Sequence, residues 1–408
     1  MELIGNVKNY DWGKLDAGSY VAKLASANDG KFVLEKGKPY AELWMGDHCS
    51  GPSVVKSSGD ELGVSIRKDL PGTIGAGQTK LSYLFKVLSI RKALSIQVHP
   101  NREEAEKLHA QFPDVYKDPN HKPELAIALT EFQAMCGFRP YAEIHSLLTA
   151  WPEIETLLGK NNIESLTSGD EAALRSLYGT LMHSEPEQLE KCISGMVAKM
   201  QANSTRSDLD NLFLQLHKDF PNDVGLLSIY FLNILNLKPG QAIFLPANIP
   251  HAYISGDCIE CMACSDNVVR AGLTPKFKDV DTLLRLVSYE GSPSEAKLFQ
   301  PVQLDKDSQP YTRTFIPTVP DFAVSEIRVP RGVDSYSVTN RPNGCILLVC
   351  SGKASLKSVA TGEDLPLEFG KIVFVPAKAG DKLELRIEDS RNEFVAYQAM
   401  SNDFLGRC

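Results

Sequence analysis

The segment 94–100 alternates apolar and polar residues, as expected of a β-strand with one buried face. Successive side chains of a strand point to opposite faces, so Ser95, Gln97 and His99 share one face. The other face carries Leu94, Ile96 and Val98. A polar face with an amide and an imidazole is either an ordinary solvent-facing side or part of a binding site.

Two later segments favour a binding site. In 120–124, alternation places Asn120, Lys122 and Glu124 on one face, and in 250–253 it does the same for His251 and Tyr253. Two imidazoles, a carboxylate and an amide oxygen form a donor set suited to zinc, with water or substrate completing the coordination shell. The predicted ligands are Gln97, His99, Glu124 and His251. Two histidines and a carboxylate also suit the Fe(II) of an oxygenase, but the Gln on the face of His99 favours zinc.

Several stretches, in the same order, resemble type I phosphomannose isomerases: PYAELWMG, LFKVLS, LSIQVHP, NHKPE, NIPHAY, IECMACSDN and VRAGLTPKF. The resemblance runs through about the first 280 residues and weakens toward the C-terminus. It implies that the four predicted ligands bind one zinc ion per chain. It also implies interconversion of mannose 6-phosphate and fructose 6-phosphate through a cis-enediol, which feeds mannose into GDP-mannose synthesis and glycosylation.

Arg270 matches the active-site arginine of that family, and its permanent charge and planar fork suit an oxyanion. His99 and His251 are poor proton acceptors while they bind zinc, so Glu260 and a neutral Lys122 remain as alternative bases. Further residues are expected to contact substrate, with Asp266 also expected to pair with Arg270: Ser95, Tyr253, Lys86, Lys276 and Asp266.

Two other functions are compatible with a metal-binding barrel. A sugar- or metal-binding module would bind ligand without turnover, and an Fe(II) oxygenase would need iron and oxygen. The intact stretches around His99, Lys122, His251 and Arg270 argue against both.

Helical and strand periodicities divide the chain into blocks that would hold these residues. We expect residues 1–139 and 224–290 to form a catalytic β-barrel, residues 140–223 to form a helical insertion, and residues 291–408 to form a second barrel without metal ligands. In the insertion, Ser184 and Ser207 are the expected helix caps.

A weak repeat, G-x-x-x-F-x-P-A, occurs at 240–247 and again at 370–377. The first copy continues to His251, whereas the second continues through 378–381 without a histidine. The motif resembles the cupin superfamily. The expected fold is therefore mainly β with an α insertion, built from two cupin-like jelly-roll barrels and the inserted helical domain.

Composition limits the partners and the compartment. The 408 residues carry a net charge of −8, which argues against nucleic acid and anionic membranes as partners. No run of 18 apolar residues occurs, and residues 1–5 lack the basic and apolar regions of a signal peptide, so we expect neither a membrane span nor secretion. The nine scattered cysteines fit a reducing, cytoplasmic setting. We expect a monomer that acts on a small sugar phosphate.

Two further patterns carry no chemistry in this interpretation. Cys258, Cys261 and Cys264 suggest a thiolate site, but in a strand Cys258 and Cys261 face opposite ways. We interpret these cysteines as small buried apolar residues. The glycine-rich segment 72–80 lacks the order of a phosphate-binding loop and is interpreted as a surface loop.

Overall fold

The computed structural model describes residues 1–307, 309–358, 362, 364–377, 382–389 and 391–405. Most of its regular structure is β-strand, and many of its helices lie between residues 141 and 228. This confirms a mainly β fold with a helical insertion. The segment 378–381, where the second copy of the repeat continues, lies outside the described residues.

The N-terminal block is rich in strands. Its strands are β1 (Glu2–Ile4), β2 (Asn6–Lys8), β3 (Lys14–Leu15), β4 (Pro39–Tyr40), β5 (Glu42–Met45), β6 (Val54–Val55), β7 (Tyr83–Ile90), β8 (Ile96–Val98), β9 (Glu124–Ala128) and β10 (Phe132–Phe138). Its helices are α1 (Tyr20–Asn28), α2 (Leu62–Arg67), α3 (Leu70–Ile74) and α4 (Arg102–Gln111). Regular pairing starts only at Glu124, so the predicted strand over 120–123 is an extended loop. The segment 72–80, predicted as a surface loop, also differs at its start, because α3 continues to Ile74.

The insertion consists of short helices with apolar faces. They are α5 (Tyr141–Thr149), α6 (Pro152–Leu158), α7 (Lys160–Glu164), α8 (Glu171–Met182), α9 (Pro186–Ala202), α10 (Asp208–Asp219) and α11 (Gly225–Ser228). Ser207 caps α10 in a capping box with Asp210, as its spacing predicts. The cap predicted at Ser184 is wrong, because the N-cap is the next residue, Glu185, and α9 begins at Pro186, whose fixed φ suits the first helical position.

Strands return after the insertion. The remaining elements are β11 (Leu232–Leu237), β12 (Ala242–Leu245), β13 (His251–Ala263), β14 (Val269–Gly272), α12 (Val280–Leu286), β15 (Leu298–Phe299), β16 (Thr312–Phe315), β17 (Ala323–Val329), β18 (Ser335–Thr339), β19 (Cys345–Ser351), β20 (Lys353–Ser358), β21 (Asp364–Glu368), β22 (Ile372–Val375), β23 (Lys382–Ile387) and β24 (Phe394–Met400). Three 3₁₀ turns in the described residues complete the elements: Asp16–Gly18, Ser165–Ser168 and Ser294–Lys297.

Within the described residues, two large sheets organise the strands. The first has eleven strands, in the order β15-β12-β9-β13-β7-β5-β2, with β8, β10, β11 and β14 attached around β13. The second has seven, in the order β16-β17-β24-β19-β22-β1-β6. Strands β1 and β6 thus come from the N-terminal block and pair within the sheet of the C-terminal block. No helix among the described residues is long and apolar enough to cross a bilayer.

The helical insertion packs directly against the back of the candidate site. Ile96 and Val98 of β8, Ala252 of β13 and Val269 of β14 are buried in the same apolar cluster as the insertion helices. Because alternate residues of a strand face opposite ways, this burial directs the intervening polar residues to the other side of the strands. The apolar alternation predicted from the sequence therefore fixes which side carries the chemistry.

Candidate active site

Strand β8 brings three of the predicted residues into one row. Gln97 is the register partner of His251 on β13 and of Arg270 on β14. Residues opposite each other in an antiparallel pair extend their side chains to the same face. Gln97, His251 and Arg270 therefore lie side by side, and His99 follows two residues farther along the same face.

An irregularity in β13 joins this row to a second one. Gln133 pairs with Ser255 whereas its neighbour Ala134 pairs with Tyr253, so β13 carries one extra residue at this point. Such a bulge reverses the alternation that follows it. Tyr253 and Cys258 consequently lie in one apolar cluster. Glu260 shares the face of Cys258, and therefore that of His251, although simple alternation from 251 to 260 places the two on opposite faces.

His99, Glu124 and His251 converge in the interior. His99 Nε2 lies 3.3 Å from Glu124 Oε1, and His251 Nε2 lies 3.5 Å from Glu124 Oε2. Each side chain is at most 3% exposed, and one donor atom from each lies within 4.8 Å of the other two. In the described part of the chain, this is the one group of His, Cys, Asp or Glu with the spacing of metal ligands.

The hydrogen bonds of the two histidines leave their Nε2 lone pairs free. Nδ1 of His99 lies 2.8 Å from the carbonyl oxygen of Asn267, and Nδ1 of His251 lies 2.8 Å from that of Ile249. A carbonyl only accepts, so each Nδ1 carries the hydrogen and each Nε2 is a bare acceptor. Both Nε2 atoms and Glu124 Oε2 are buried without a hydrogen bond of good geometry in the described residues.

Three buried acceptor atoms that face one another repel unless a cation lies between them. Imidazoles held by second hydrogen bonds to backbone carbonyls are also the usual arrangement around protein-bound metals. The residues present therefore fit a divalent metal ion. Gln97, in register with His251, offers a fourth donor from the same row.

The charge states also suit metal binding. Burial lowers the pKa of His99 to about 4, so its imidazole is neutral at neutral pH. Burial raises the pKa of Glu124, but neighbouring cations outweigh it and hold that pKa well below its ordinary value. Because His99 is neutral at pH 7, the cation that matters there is Lys122, whose Nζ lies 3.4 Å from Glu124 Oε1.

A second buried charge cluster lies on the same face. Lys86 Nζ lies 3.2 Å from Glu260 and 3.5 Å from Glu42, and Lys86 is in register with both Glu260 and Trp44. The Trp44 indole donates a hydrogen bond to Glu42 and lies under the Lys86 ammonium, 5.1 Å from the ring centroid. Burial lowers the pKa of Lys86, but the two carboxylates outweigh it and raise it.

Glu260 shares one cation with a second carboxylate. Burial raises its pKa, Lys86 opposes that effect, and Glu124 and Glu42 add to it; the net direction is upward. A carboxylate whose pKa is raised binds a proton more readily, which suits a group that accepts and returns a proton. Tyr253 lies nearby, and its pKa is raised by burial and by the charge of Glu260.

Arg270 is half-buried and burial lowers its pKa. The expected ion pair with Asp266 is wrong: Asp266 is exposed, and among the described residues no carboxylate oxygen lies within 4.0 Å of the Arg270 guanidinium. The backbone N–H of Asp266 instead donates to Asp118. The charge of Arg270 is therefore open to a ligand.

Two of the predicted substrate-binding residues are less firmly tied to the cluster. Ser95 lies just before β8 in a half-buried position, and Lys276 is exposed on the loop after β14. Among the described residues, neither side chain makes a hydrogen bond or an ion pair with the converging groups. Ser95 and Lys276 could contact a substrate only if that substrate extended outward from Arg270.

Sequence reasoning missed Glu42 and Asn267. Glu42 is only 7% exposed and lies on a strand whose four residues are all buried. A carboxylate within an otherwise apolar strand could have indicated a buried functional group. The Asn267 carbonyl orients His99, while its amide donates to the carbonyl oxygens of Asp118 and Asn120. Its backbone role leaves no mark in the sequence pattern.

Known proteins are similar to this chain over almost its whole length. A family model described as phosphomannose isomerase type I, catalytic domain, matches residues 1–141, and one for its helical insertion domain matches residues 156–232. Mannose-6-phosphate isomerase of Bos taurus is 44% identical over 407 residues, covering 93% of this chain and 94% of that protein.

Solved structures agree with the sequence matches. A mutant of phosphomannose isomerase from Salmonella typhimurium superposes with a TM-score of 0.84 at 30% identity, covering 98% of this chain and 99% of that one. A zinc-bound mannose 6-phosphate isomerase gives a TM-score of 0.83 at 30% identity, with the same coverage.

Proposed function

This chain belongs to the type I phosphomannose isomerase family, and from that membership we propose that it binds one zinc ion and interconverts mannose 6-phosphate and fructose 6-phosphate. The observation that carries the proposal is the set of three buried acceptor atoms, on His99, Glu124 and His251, within 4.8 Å of one another. Gln97 is the proposed fourth ligand. When bound there, zinc supplies positive charge to oxygen atoms of the sugar.

The reaction moves a proton between C1 and C2 of the open-chain sugar, through a cis-enediol. A hydrogen beside a carbonyl is a weak acid, so the negative charge that develops on oxygen must be stabilised. Arg270 has an unneutralised guanidinium on the face of Gln97 and His251, and it is proposed for that task.

The proton carrier is either Glu260 or Lys122. The raised pKa of Glu260 supports Glu260, because a carboxylate with a raised pKa accepts a proton more readily than an ordinary one. The contact of Lys122 with Glu124 supports Lys122, because it places an amine beside a proposed metal ligand. Lys86 is committed to Glu260 and Glu42, so we assign it to setting the charge of Glu260 rather than to the phosphate.

Other residues are proposed to bind the rest of the sugar phosphate. Ser95 and Lys276 are assigned to the phosphate, Tyr253 to a sugar oxygen and Asp266 to a hydroxyl near the entrance. With a net charge of −8 on the chain, an anionic substrate needs a local cation, which Lys276 would supply.

The architecture is proposed to be two cupin-like barrels with residues 140–223 inserted in the first. The first barrel then comprises residues 1–139 and 224–290, and the second comprises residues 291–408. Strands β1 and β6 belong to the first block in sequence but pair within the seven-stranded sheet of the second block. We further propose a cytoplasmic monomer whose product enters GDP-mannose synthesis. The eight described cysteines, all free, suit a reducing compartment.

The test is metal content together with a coupled assay for fructose 6-phosphate, before and after chelation. We expect one zinc per chain, activity lost to chelator, and activity restored by zinc. The His99→Ala variant should fall well below one zinc per chain, whereas His183→Ala, at a histidine 57% exposed on a helix end, should match the wild type. Bound zinc without turnover on any sugar phosphate would favour a binding module, and iron with oxygen dependence would favour an oxygenase.

A further inference from the structure

A carboxylate from the C-terminal block reaches a loop of the candidate site. Asp321 lies between β16 and β17, and its Oδ2 is 2.8 Å from Nε2 of His121, 200 residues earlier in the chain. Nη2 of Arg102 also lies 3.2 Å from this nitrogen, but the shorter contact is with the carboxylate, which only accepts, so His121 Nε2 carries the hydrogen and donates it to Asp321. Both side chains are largely buried, with 8% of Asp321 and 16% of His121 exposed. Arg102 lies beside the pair, its Nη2 3.9 Å from Asp321 Oδ1.

The position of Asp321 is itself fixed. Its carbonyl accepts a 2.6 Å hydrogen bond from Ser82 Oγ, which ties it to the start of β7. The side-chain amide of Asn402 donates to the carbonyl oxygens of Pro317 and Val319, at 2.9 and 2.8 Å. The next residue, Phe322, is fully buried. The carboxylate is therefore presented by a loop that is held on both sides.

The loop that receives this contact is held mainly by side chains. Residues 120–123 belong to no strand; the N–H of Ala263 donates to the carbonyl oxygen of Pro123, and the other contacts described for the loop involve side chains. On one side, Asn120 donates to the carbonyl oxygen of Cys264 and accepts from Asn267. On the other side, His121 meets Asp321. Lys122 follows directly, with its ammonium 3.4 Å from Glu124.

We propose that Asp321 is a positioning residue for the isomerase: by accepting the hydrogen bond from His121, it fixes the loop 120–123 from behind and so places the Lys122 ammonium against the metal-binding face. The proposal rests on the proposed function. It assigns the C-terminal block a part in turnover, although that block supplies none of the proposed metal ligands.

The test compares Asp321→Ala with Asp321→Asn. The alanine variant should lose about ten-fold or more in kcat, since small misplacements of a positioned group are costly, while KM changes little and zinc stays at one per chain. The asparagine variant should largely retain kcat, because its amide oxygen still accepts from His121. His121→Ala should reproduce the alanine loss, and the double variant should lose no more than either single one.

A second readout does not depend on activity. Hydrogen–deuterium exchange of the peptide spanning 118–124, measured by mass spectrometry, should rise in Asp321→Ala and not in Asp321→Asn. The matched control is Glu393→Ala, which removes a carboxylate paired with Arg328 inside the C-terminal block. That variant should leave both kcat and the exchange of 118–124 unchanged.

The outcomes separate the two proposals. Unchanged exchange in Asp321→Ala, equal losses in the alanine and asparagine variants, or the same loss in Glu393→Ala would each overturn the role of Asp321. If the wild type shows no isomerase turnover while Asp321→Ala still raises exchange in 118–124, the positioning of the loop stands and the proposed function falls.

Discussion

The guanidinium of Arg270 stands beside Gln97 with no carboxylate near enough, in the described chain, to neutralise it. Its burial removes part of its hydration and lowers its pKa, so the free site pays for holding an unpaired cation. That free-energy cost is offset when a negatively charged ligand binds and pairs with the guanidinium. An unpaired, half-buried cation does not stabilise the fold, and this supports the catalytic role proposed for Arg270.

Replacing Arg270 with alanine should reduce kcat by about 10²- to 10³-fold, the usual effect of removing one preorganised charge that meets the developing oxyanion. Zinc content should remain one per chain, because Arg270 is not among the proposed ligands. Steady-state kinetics with metal analysis measures both. Arg285→Ala, at a surface arginine paired with Glu104, is the matched control and should keep full activity. Normal turnover in Arg270→Ala, with zinc retained, would remove Arg270 from the mechanism.

For single residues, the sequence predicted the site where the alternation of apolar and polar residues shows which side chains share one face of a strand. His99 and His251 each lie on a strand face that the flanking apolar residues define, and the structure brings both to Glu124. Glu42 and Asp321 could not be found in that way. Their partners, Lys86 and His121, lie 44 and 200 residues away, and pairing over such distances depends on topology rather than on local pattern.

Among the elements, β13 contributes most to the site. Its N-terminal half pairs with β8 and β10 and carries His251, and its C-terminal half pairs with β7 and β9 and carries Glu260. The extra residue near 254 puts both side chains on one face. The alternation of the strand could be predicted from the sequence, but the bulge could not, because it is defined by the register with β10.

Gly256 stands beside that bulge with φ of +111°, a conformation that other residues rarely adopt. A Cβ there would lie 2.4 Å from the carbonyl oxygen of Glu131 and 2.8 Å from Cα of Phe132, so the backbone itself would have to move. Gly256→Ala should therefore lower the free energy of unfolding by more than the roughly 1–2 kcal/mol that a left-handed backbone conformation alone costs a non-glycine residue. It should also abolish most activity by shifting Glu260 relative to His251.

Thermal unfolding and the coupled assay test this expectation against Gly59→Ala. Gly59 also has a positive φ, of +76°, but a Cβ there would meet nothing within 4 Å. In Gly59→Ala the free energy of unfolding should fall by only about 1 kcal/mol, and the enzyme should stay active. Similar effects in the two variants would show that the site does not depend on the shape of β13 near residue 256.

Over the whole molecule, one apolar cluster joins the two blocks. Leu3, Tyr83 and Phe85 of the N-terminal block are buried with Phe315 and Phe374 of the C-terminal block. The Tyr83 hydroxyl donates to the carbonyl oxygen of Ala399, 316 residues away. A shared core of this kind cannot be broken in one block without exposing apolar surface of the other.

We therefore expect a single calorimetric unfolding transition, although chains of this length often show several. Leu3→Ala should lower the stability of the entire chain by about 3 kcal/mol, because Leu3 is fully buried and alanine leaves a cavity. Val33→Ala, at a valine 73% exposed, is the control and should have little effect. Two separate transitions, with only one of them shifted by Leu3→Ala, would contradict the idea of one cooperative core.

The pairing of β1 with β22 has a consequence for how the protein is made. Leu3 pairs with Ile372, and the amino group of Met1 donates to Phe374, 373 residues away. At a ribosomal rate of about 5 to 20 residues per second, the first strand emerges roughly 20 to 75 s before its partner. Throughout that interval β1 lacks its β22 partner, and an unpaired strand edge of this kind is prone to aggregate unless another protein covers it during synthesis.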